Sequence, residues 1–324
     1  MRSHPGILVT GLPRSGTSWT GKMLQFSGEV VYVNEPMNMM HPPGHSPGVL
    51  NAEVTDRYQY ICDENGEPWA KAFGDTLRLH YHLGAELRRN RGPYDLGRMV
   101  KYSTDFTVGR VRGRRAMIDD PFGTFSVVWF AQRMGCRVVV LVRHPLSWVG
   151  SWRKLGWKAQ LHDLLRQPLL MRDLLGPYED DLRAMADSTD YVAKAALLWR
   201  VAYSVVSDLD AQHPGLFYIR RYEDLASNPE TAFRELYGVC DLNWTEESRK
   251  RIIWATTDHG KAEAQRSWTL RGGLSRTAFR PMDSRSTFGS FRSRLSPEEI
   301  DQIREITEPV APKFYDAKDG VTPV

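Results

Sequence analysis

The stretch Val9-Thr10-Gly11-Leu12-Pro13-Arg14-Ser15-Gly16-Thr17-Ser18-Trp19 decides the fold of this chain. It follows an apolar run that predicts a strand over residues 7–10, and it leads into a helical pattern over residues 17–26. A glycine-bearing turn between a strand and a helix presents backbone N–H groups and a helix N-terminus to an anion, usually a phosphate. The stretch therefore predicts a phosphate-binding loop in an α/β domain.

The loop departs from the ordinary ATP-binding pattern G-x-x-x-x-G-K-[ST]. Gly11 and Gly16 have the spacing of its glycines, but Thr17 stands where that pattern has lysine, and the positive charge is at Arg14. A site that lacks the lysine for the β- and γ-phosphates is poorly built for ATP. The loop suits a nucleotide with a shorter and differently charged 5′ end.

Two later segments belong with this loop. Residues 137–142 form an apolar, β-branched run that predicts a buried parallel strand, and Arg143-His144-Pro145 follows them. Ser151 stands eight residues after Arg143, on a predicted helix. The last segment reads Phe217-Tyr218-Ile219-Arg220-Arg221-Tyr222-Glu223-Asp224-Leu225, which predicts a strand that runs into a helix.

Together the three segments resemble the sulfotransferase family, which transfers a sulfuryl group from 3′-phosphoadenosine 5′-phosphosulfate (PAPS) to an acceptor. The family's 5′-phosphosulfate loop looks like residues 13–19, with arginine where many members have lysine. Its 3′-phosphate element looks like Arg143 with Ser151, and its Tyr-Glu-Asp-Leu segment looks like residues 222–225. The resemblance extends from about residue 7 to about residue 314, and the stretch 37–95 is largely unmatched.

The resemblance implies how the loop binds the nucleotide. Arg14 would hold the 5′-phosphosulfate and neutralise the bridging oxygen as the S–O bond breaks. A glycine at position 16 would let the phosphate approach the backbone. Backbone N–H and hydroxyl donors would come from Ser15, Gly16, Thr17 and Ser18.

Four other residues are implied to contact the nucleotide. Arg143 and Ser151 would bind the ribose 3′-phosphate, the group that distinguishes PAPS from ATP, and an ion pair at the rim of the cleft is the alternative for Arg143. A guanidinium suits this role because it makes bidentate contacts with phosphate. Trp19 and Tyr222 resemble residues that pack against the adenine, with burial in the core as the alternative for each.

The stretch 271–292 near the C-terminus is dense in arginine, glycine and serine. Family members have a basic, glycine-containing loop there that closes over the 3′-phosphate. By this resemblance Arg285 is the phosphate contact. A solvated loop without this role is the alternative.

The general base follows from the same resemblance. An acceptor hydroxyl must lose its proton as the new S–O bond forms, so a carboxylate or histidine within hydrogen-bond reach is required. The histidine of the Lys-Thr-His segment in cytosolic small-molecule members is missing, because the similar place reads Lys101-Tyr102-Ser103. Many bacterial and carbohydrate-type members have a Glu-Pro pair after the second strand, and the pair here is Glu35-Pro36. We predict Glu35 as the base, with a salt bridge to a cleft arginine as its alternative role, and Lys101 as an assisting group at the sulfuryl group.

The alternation of strands and helices predicts one α/β domain over residues 1–324, with a central, mostly parallel sheet flanked by helices and a P-loop-like topology. The predicted strands cover residues 7–10, 30–33, 98–102, 116–118, 137–142 and 216–220. The predicted helices cover residues 17–26, 76–90, 123–134, 145–153, 190–211, 229–240, 245–255 and 296–311. Stretches around 37–75 and 155–186 are predicted to be variable acceptor-binding insertions.

The composition narrows the classes of function. The net charge of +4 is too small to argue for nucleic-acid binding. No apolar run approaches the ~18 residues of a membrane span, and a first strand that begins at Ile7 leaves no room for a signal peptide, so we expect a cytoplasmic protein. The three cysteines give no disulfide framework. The histidines at positions 41, 45, 80 and 82 have no diagnostic spacing, and sulfuryl transfer needs no metal, so none is expected.

These observations predict transfer of a sulfuryl group from PAPS to a hydroxyl of a small-molecule, carbohydrate or lipid acceptor, with adenosine 3′,5′-bisphosphate (PAP) as the product. Two alternatives stay open. A P-loop kinase is disfavoured by Thr17, and Asp119 and Asp120, which precede Pro121, give no clear Mg²⁺-binding aspartate. A nucleotide-binding scaffold that has lost catalysis is the other alternative. The oligomeric state is not indicated by the sequence.

Overall fold

Five parallel strands form the centre of the computed structural model, which describes residues 5–39, 50, 52–89, 92–257 and 289–316. They are arranged in the order β2-β3-β1-β4-β5, and every neighbouring pair is parallel. The predicted α/β class with a parallel sheet is therefore confirmed. The strands are β1 (Ile7–Thr10), β2 (Val30–Asn34), β3 (Arg115–Asp119), β4 (Arg137–Val142) and β5 (Tyr218–Arg221).

Strand β1 lies in the middle of the sheet and is buried on both faces. Leu8 is aligned with Ile118 of β3 on one side and with Val138 of β4 on the other. Leu8 belongs to the hydrophobic cluster on one face, and Ile7 and Val9 belong to the cluster on the other. A strand that is covered on both faces needs apolar side chains on both, which explains the continuous apolar runs in β1 and β4.

Helices cover the two faces of the sheet. None of the described helices is both long and apolar enough to cross a membrane. The α-helices in the described residues are α1 (Thr17–Gln25), α2 (Gly66–Leu77), α3 (Leu83–Arg89), α4 (Pro93–Val111), α5 (Val127–Gln132), α6 (Pro145–Leu155), α7 (His162–Leu165), α8 (Pro168–Leu170), α9 (Glu179–Ala186), α10 (Tyr191–Gln212), α11 (Tyr222–Ser227), α12 (Pro229–Val239), α13 (Glu246–Thr256) and α14 (Pro297–Thr307). Shorter turns of 3₁₀ helix lie at Pro121–Ser126, Gly176–Tyr178, Ser290–Ser293 and Ala311–Lys313, and a π-helical turn lies at Met171–Leu175.

The predicted strand over residues 98–102 is wrong. These residues lie inside α4, a helix of 19 residues that begins with Pro93. Met99 and Phe106, two helical turns apart, are buried, whereas Val100 is 56% exposed. Apolar residues at this spacing occupy one face of a helix. The prediction was wrong because the short run of methionine, valine and tyrosine resembles a strand, and the helical period is visible only over a longer stretch.

The predicted helix over residues 76–90 has the wrong bounds. α2 ends at Leu77, and α3 begins at Leu83. Between them Leu79 has φ = 54°, a left-handed conformation that interrupts a right-handed helix. α2 lies largely inside the stretch 37–75, for which the sequence predicted no regular structure.

Two other predicted helices are divided. The helix predicted over residues 123–134 consists of the 3₁₀ turn Pro121–Ser126 followed by α5. The helix predicted over residues 296–311 ends at Thr307, and a 3₁₀ turn follows it. Its predicted start is confirmed, because Ser296 caps the helix and accepts a hydrogen bond from the Glu299 N–H.

The leucine-rich segment 155–186 folds into short helices that pack on the domain. Leu161, Leu164 and Leu170 are fully buried there and belong to the main hydrophobic cluster. Core packing is therefore one function of this segment.

The strand order places the loop after β1 at the centre of one edge of the sheet. All five strands are parallel, so their carboxyl ends share this edge. The strand order reverses at β1, because β3 and β2 lie on one side of it and β4 and β5 on the other. Ligands of open α/β sheets bind at the carboxyl edge beside such a switch point.

We predict that Gly11→Ala destabilises the fold more than Gly28→Ala. Both glycines have positive φ, 131° and 75°, so both substitutions strain the backbone. A Cβ on Gly11 would also lie 2.2 Å from the carbonyl oxygen of Leu141, whereas a Cβ on Gly28 meets no heavy atom within 4 Å. Gly28→Ala should cost about 1 kcal/mol and Gly11→Ala about 3 kcal/mol or more, measured by denaturant unfolding. Equal losses would contradict the steric argument.

Candidate active site

The loop between β1 and α1 has the shape of a phosphate cradle. Gly11 and Gly16 have φ values of 131° and 100°, which residues with side chains rarely adopt. The Ser15 N–H donates to the Leu12 carbonyl (2.9 Å), which closes the turn, and α1 begins at Thr17. The first N–H groups of a helix have no partner within it, so the N-terminus of α1 offers hydrogen-bond donors to an anion.

Tyr203 of α10 supports this loop from the core. Its fully buried hydroxyl accepts a hydrogen bond from the Leu12 N–H (3.3 Å) and donates to the Leu141 carbonyl of β4 (2.9 Å). The same hydroxyl lies 2.8 Å from Ser15 Oγ. The Ser15 side chain, predicted as an anion donor, therefore bonds to the core, and the Ser15 N–H bonds to Leu12, so both groups have partners within the protein.

Two tryptophans of α6 hold the next peptide of the loop. The indole N–H groups of Trp148 and Trp152 both donate to the Pro13 carbonyl, at 2.8 and 3.0 Å. Both rings are buried. A carbonyl has two lone pairs, so this one is fully occupied. The shape of the loop is thus fixed by packing against α6 and α10.

Three residues predicted to bind the nucleotide lie together beside the loop. Arg14 Nε donates to Ser151 Oγ (3.3 Å), and the Arg14 carbonyl accepts from Arg143 Nη1 (3.1 Å). The Arg14 backbone has φ = 79°, a left-handed conformation. Such conformations in residues other than glycine cluster at functional sites.

Arg143 is the centre of a cluster of like charges. It is 7% exposed, and within the described part of the chain its Nε has no hydrogen-bond partner. Desolvation and the charge of Arg143 lower the pKa of both Arg14 and Arg294, although a guanidinium keeps its charge in proteins. Guanidinium groups that repel one another in a crevice form a site for an anion with more than one charge.

Sequence reasoning missed Arg294. The predicted contact, Arg285, lies outside the described residues. Arg294 follows a 3₁₀ turn in which Phe291 packs on α6, where a Cβ on Gly150 would lie 3.1 Å from the Phe291 Cβ. The sequence signal that could have found Arg294 was the cap at Ser296, which fixes the start of α14 three residues beyond Arg294.

Trp19 and Tyr222 are buried beside the loop. The Trp19 ring lies edge-on to Tyr222, with centroids 5.5 Å apart. Tyr222 contacts the loop directly, because a Cβ on Gly16 would lie 2.5 Å from its ring. The guanidinium of Arg143 stacks 4.7 Å from the centre of the Tyr222 ring. Both aromatics therefore pack in the core, and their contact with an adenine remains a prediction.

Glu35 stands where β2 ends, beside β3. Its N–H donates to the Asp119 carbonyl (2.7 Å), and its Oε2 accepts from Asn38 Nδ2 (2.6 Å). The backbone has φ = 44°, so Glu35, like Arg14, is a left-handed residue other than glycine. The residue is partly exposed.

Asp119, the last residue of β3, is a second carboxylate at this edge that the sequence did not identify. It is fully buried and accepts a hydrogen bond from the Tyr32 hydroxyl. Burial is the largest of the effects that raise the pKa of Asp119 to about 6, and the charge of Glu35 is the second. Hydrogen bonds from Tyr32, Ser18 and Thr17 lower this pKa but do not offset the two. The Thr17 and Ser18 hydroxyls, predicted to bind the anion, thus face Asp119.

A comparison with protein-family models matches residues 5–246 to the sulfotransferase family. This chain belongs to that family. The matched range contains all five strands of the sheet, the loop after β1 and Arg143. The chain is therefore a sulfotransferase, a transferase enzyme. A search of curated protein sequences found none that matches it.

Three solved structures are similar to this sulfotransferase. The sulfotransferase domain from the curacin biosynthetic pathway is 15% identical, with 93% of this chain and 96% of that chain covered and a TM-score of 0.44. Sulfotransferase STF9 from Mycobacterium avium is 13% identical, with 97% and 78% covered and a TM-score of 0.45. Mouse sulfotransferase SULT7A1, complexed with PAP, is 12% identical, with 98% and 86% covered and a TM-score of 0.45. At these TM-scores the likenesses add no argument to the family match.

Lys101 of this sulfotransferase, predicted to assist at the sulfuryl group, does not lie on a sheet strand. It is on α4, its side chain is 65% exposed, and its Nζ lies 3.5 Å from Asp105 Oδ2. It was predicted on a strand over residues 98–102, and those residues are part of α4. Its assisting role at the sulfuryl group remains a prediction.

We predict that Asp119→Asn stabilises the fold of the sulfotransferase above pH 6. The folded pKa of about 6 lies above the ordinary value of 3.8, so ionisation of Asp119 opposes folding. The gain in unfolding free energy should approach about 3 kcal/mol at pH 7.5 and shrink toward pH 4.5, where Asp119 is largely protonated in the native state.

Denaturant unfolding at both pH values measures this difference. Asp105→Asn, which changes a half-exposed aspartate on α4, is the matched control and should give no such pH-dependent gain. An Asp119→Asn gain that is absent at pH 7.5 would show that hydrogen bonds to the ionised carboxylate outweigh its desolvation.

Proposed function

We propose that this sulfotransferase uses PAPS as its donor and transfers the sulfuryl group to a hydroxyl, with Glu35 as general base. The observation that carries the proposal is the cluster of Arg14, Arg143 and Arg294 beside a phosphate loop that has no Walker lysine. A donor with phosphate groups at both its 5′ and its 3′ positions fits a cluster that extends from the loop to the end of β4.

The residues present fit both ends of this donor. The loop N–H groups and Arg14 would hold the 5′-phosphosulfate at the N-terminus of α1. Arg143, Ser151 and Arg294 would hold the 3′-phosphate. The buried Nε of Arg143 supports this assignment, because a buried donor without a partner in the described residues costs free energy until a ligand accepts its hydrogen bond.

Arg14 would act on the leaving group. PAPS supplies an activated sulfuryl group, and charge develops on the 5′-phosphate oxygen as the S–O bond breaks. A guanidinium that is already positioned at that oxygen stabilises the charge without reorganisation. The hydrogen bonds that Arg14 makes to Ser151 and Arg143 orient its side chain and its backbone for this role.

Glu35 would accept the proton of the acceptor hydroxyl. It lies at the carboxyl end of β2, and Arg14 lies in the loop after β1, so the base and the cation at the leaving oxygen would flank the transferred group. Its N–H bond to the Asp119 carbonyl and its Oε2 bond to Asn38 hold it there. A base on one side and a cation on the other is the arrangement that in-line displacement requires.

The acceptor we propose is a small molecule or a glycan or lipid with an apolar or ring-shaped part. A cavity of about 190 Å³ borders α6, and Trp152, Trp157 and Tyr191 line it together with Lys158. Trp152 connects this cavity to the phosphate loop through its bond to Pro13. Aromatic walls bind sugar faces and aromatic rings by stacking, and we assign the segment that begins at residue 155 to acceptor binding.

We predict that the full chain binds PAP and that Arg143→Ala weakens this binding by about 10- to 100-fold, the loss of a charge-assisted bidentate contact. Isothermal titration calorimetry measures the affinity. Arg294→Ala should also weaken binding. Arg137→Ala is the matched control and should leave PAP affinity unchanged. Arg137 begins β4, the strand that Arg143 follows, so it lies at the opposite edge of the sheet, where it pairs with Asp241.

The same titration with ATP and Mg²⁺ distinguishes a PAPS-dependent sulfotransferase from an ATP-dependent kinase. Little heat with ATP supports PAPS as the donor, whereas tighter binding of ATP than of PAP would return the kinase alternative to first place. Binding of neither nucleotide would favour a scaffold that has lost its site.

We predict that Glu35→Gln lowers the transfer rate by about 10²- to 10⁴-fold, the usual contribution of a general base, and leaves PAP affinity unchanged. The amide keeps the size of Glu35, and its oxygen can accept the hydrogen bond from Asn38, but it cannot take a proton. Transfer from radiolabelled PAPS to a panel of hydroxyl acceptors is the measurement.

Glu29→Gln, at the other end of β2, is the control and should retain full activity. Unchanged turnover in Glu35→Gln would reject Glu35 as the base and direct attention to Asp119. Loss of PAP affinity in Glu35→Gln would instead show that the residue acts in donor binding.

A further inference from the structure

We propose that Asp75, His80 and His82 form a binding site for a divalent transition-metal ion of the zinc class, remote from the catalytic cleft. One carboxylate oxygen and one ring nitrogen from each histidine all lie within 4.8 Å of one another. Two imidazoles and one carboxylate are a donor set that zinc uses in proteins, with water as the fourth ligand. The spacing D-x₄-H-x-H is short enough for one turn of the chain to present all three.

The backbone brings the three donors together at the end of α2. Asp75 is in the last turn of the helix, and Leu79 then reverses the chain in a left-handed conformation. The His80 N–H donates to the Asp75 carbonyl (2.9 Å), which fixes the reversal. As a result the His80 and His82 rings lie side by side, with centroids 4.9 Å apart.

Contacts within the described residues leave two of the donor atoms, His82 Nε2 and Asp75 Oδ2, directed toward each other and available to an ion. His82 Nε2 is buried and makes no hydrogen bond there, although it lies 3.3 Å from Asp75 Oδ2. Arg78 donates to the other carboxylate oxygen, Oδ1, at 2.7 Å and leaves Oδ2 toward the histidines. A hydrogen bond to the free oxygen of a ligating carboxylate is a common outer contact in metal sites.

Tetrahedral zinc, with bonds of about 2.0–2.2 Å, needs donor atoms about 3.3–3.6 Å apart, so the ligands must close in from the 4.8 Å within which the set now lies. The side chains of Asp75 and His82 are 16% and 17% exposed, so the packing of α2 holds them. His80 is exposed, and a rotation of its ring would complete the set. Water would reach the ion from the same exposed side.

The position indicates a structural function. A Cβ on Gly6, just before β1, would lie 2.4 Å from Leu77 Cδ2, so the end of α2 packs at the amino edge of the sheet. Arg14, Glu35 and Arg143 are at the carboxyl edge. An ion here would join the end of α2 to the segment that enters α3, and it would take no part in sulfuryl transfer.

The test is a titration of the full chain, freed of metal by dialysis against a chelator, with Co²⁺ and then Zn²⁺. We expect one equivalent of Co²⁺ to give the visible absorption of a low-symmetry site, and Zn²⁺ to displace it. The melting temperature should rise with Zn²⁺, because an ion that binds only the folded chain stabilises it.

His80→Asn and His82→Asn should each weaken Zn²⁺ binding by at least about tenfold and abolish the Co²⁺ absorption. His162→Asn is the matched control: His162 is paired with Asp187 at 2.9 Å, but no third donor completes a set among the described residues. Melting in the presence of chelator shows whether each variant is folded, and His80, being exposed, can be replaced without disturbing the core.

Absence of metal binding by the full chain would overturn the proposal. So would equal Zn²⁺ affinity in the full chain, His80→Asn and His82→Asn, because the ion would then be held elsewhere. A loss of affinity in His162→Asn equal to that in His82→Asn would show nonspecific binding to surface histidines, which also contradicts it.

Discussion

The hydrogen bonds that reach the phosphate loop from α6 and α10 are the constraint on which the rest of the site depends. A strand-to-helix turn with two glycines could adopt many shapes, since glycine restricts the backbone so little. Tyr203 occupies the Leu12 N–H, and two tryptophans occupy the Pro13 carbonyl. The shape of the loop is therefore set by tertiary packing. The helix that carries Ser151 is also the one that carries these tryptophans, so the loop and the proposed 3′-phosphate site are positioned by one element.

Positively and negatively charged side chains lie on opposite sides of β1 in the cleft. On the β4 side the guanidinium groups of Arg143 and Arg294 lie close together, and on the β2 and β3 side lie the carboxylates of Glu35 and Asp119. Group transfer between two oxygens needs this division, because one oxygen gains negative charge while the other loses a proton. The order of the strands produces it directly, since residues that follow neighbouring strands meet at one edge. Arg14, at the boundary, contacts the cationic side through its carbonyl.

The sequence was sufficient for the parts of the fold that local pattern specifies. The strands at residues 7–10 and 137–142, the glycine loop and the start of α14 each carry a short-range signal, and their predicted positions are confirmed. Asp119 was missed as a site residue because its role depends on Tyr32, a contact between residues far apart in the chain. Arg294 was missed because its position depends on how Phe291 packs on Gly150. The strand at 98–102 was wrong since a buried helical face looks like a strand over five residues.

The late position of Arg294 in the chain affects how the protein is made. Arg294 is synthesised about 150 residues after Arg143, which takes on the order of 10–30 s at about 5–20 residues per second. During that interval the sheet and the phosphate loop can already be complete, because β5 ends at Arg221. The nascent chain would then hold a donor site without its third arginine. Full affinity for the donor would be acquired only as the last helix leaves the ribosome and docks on α6 and α10.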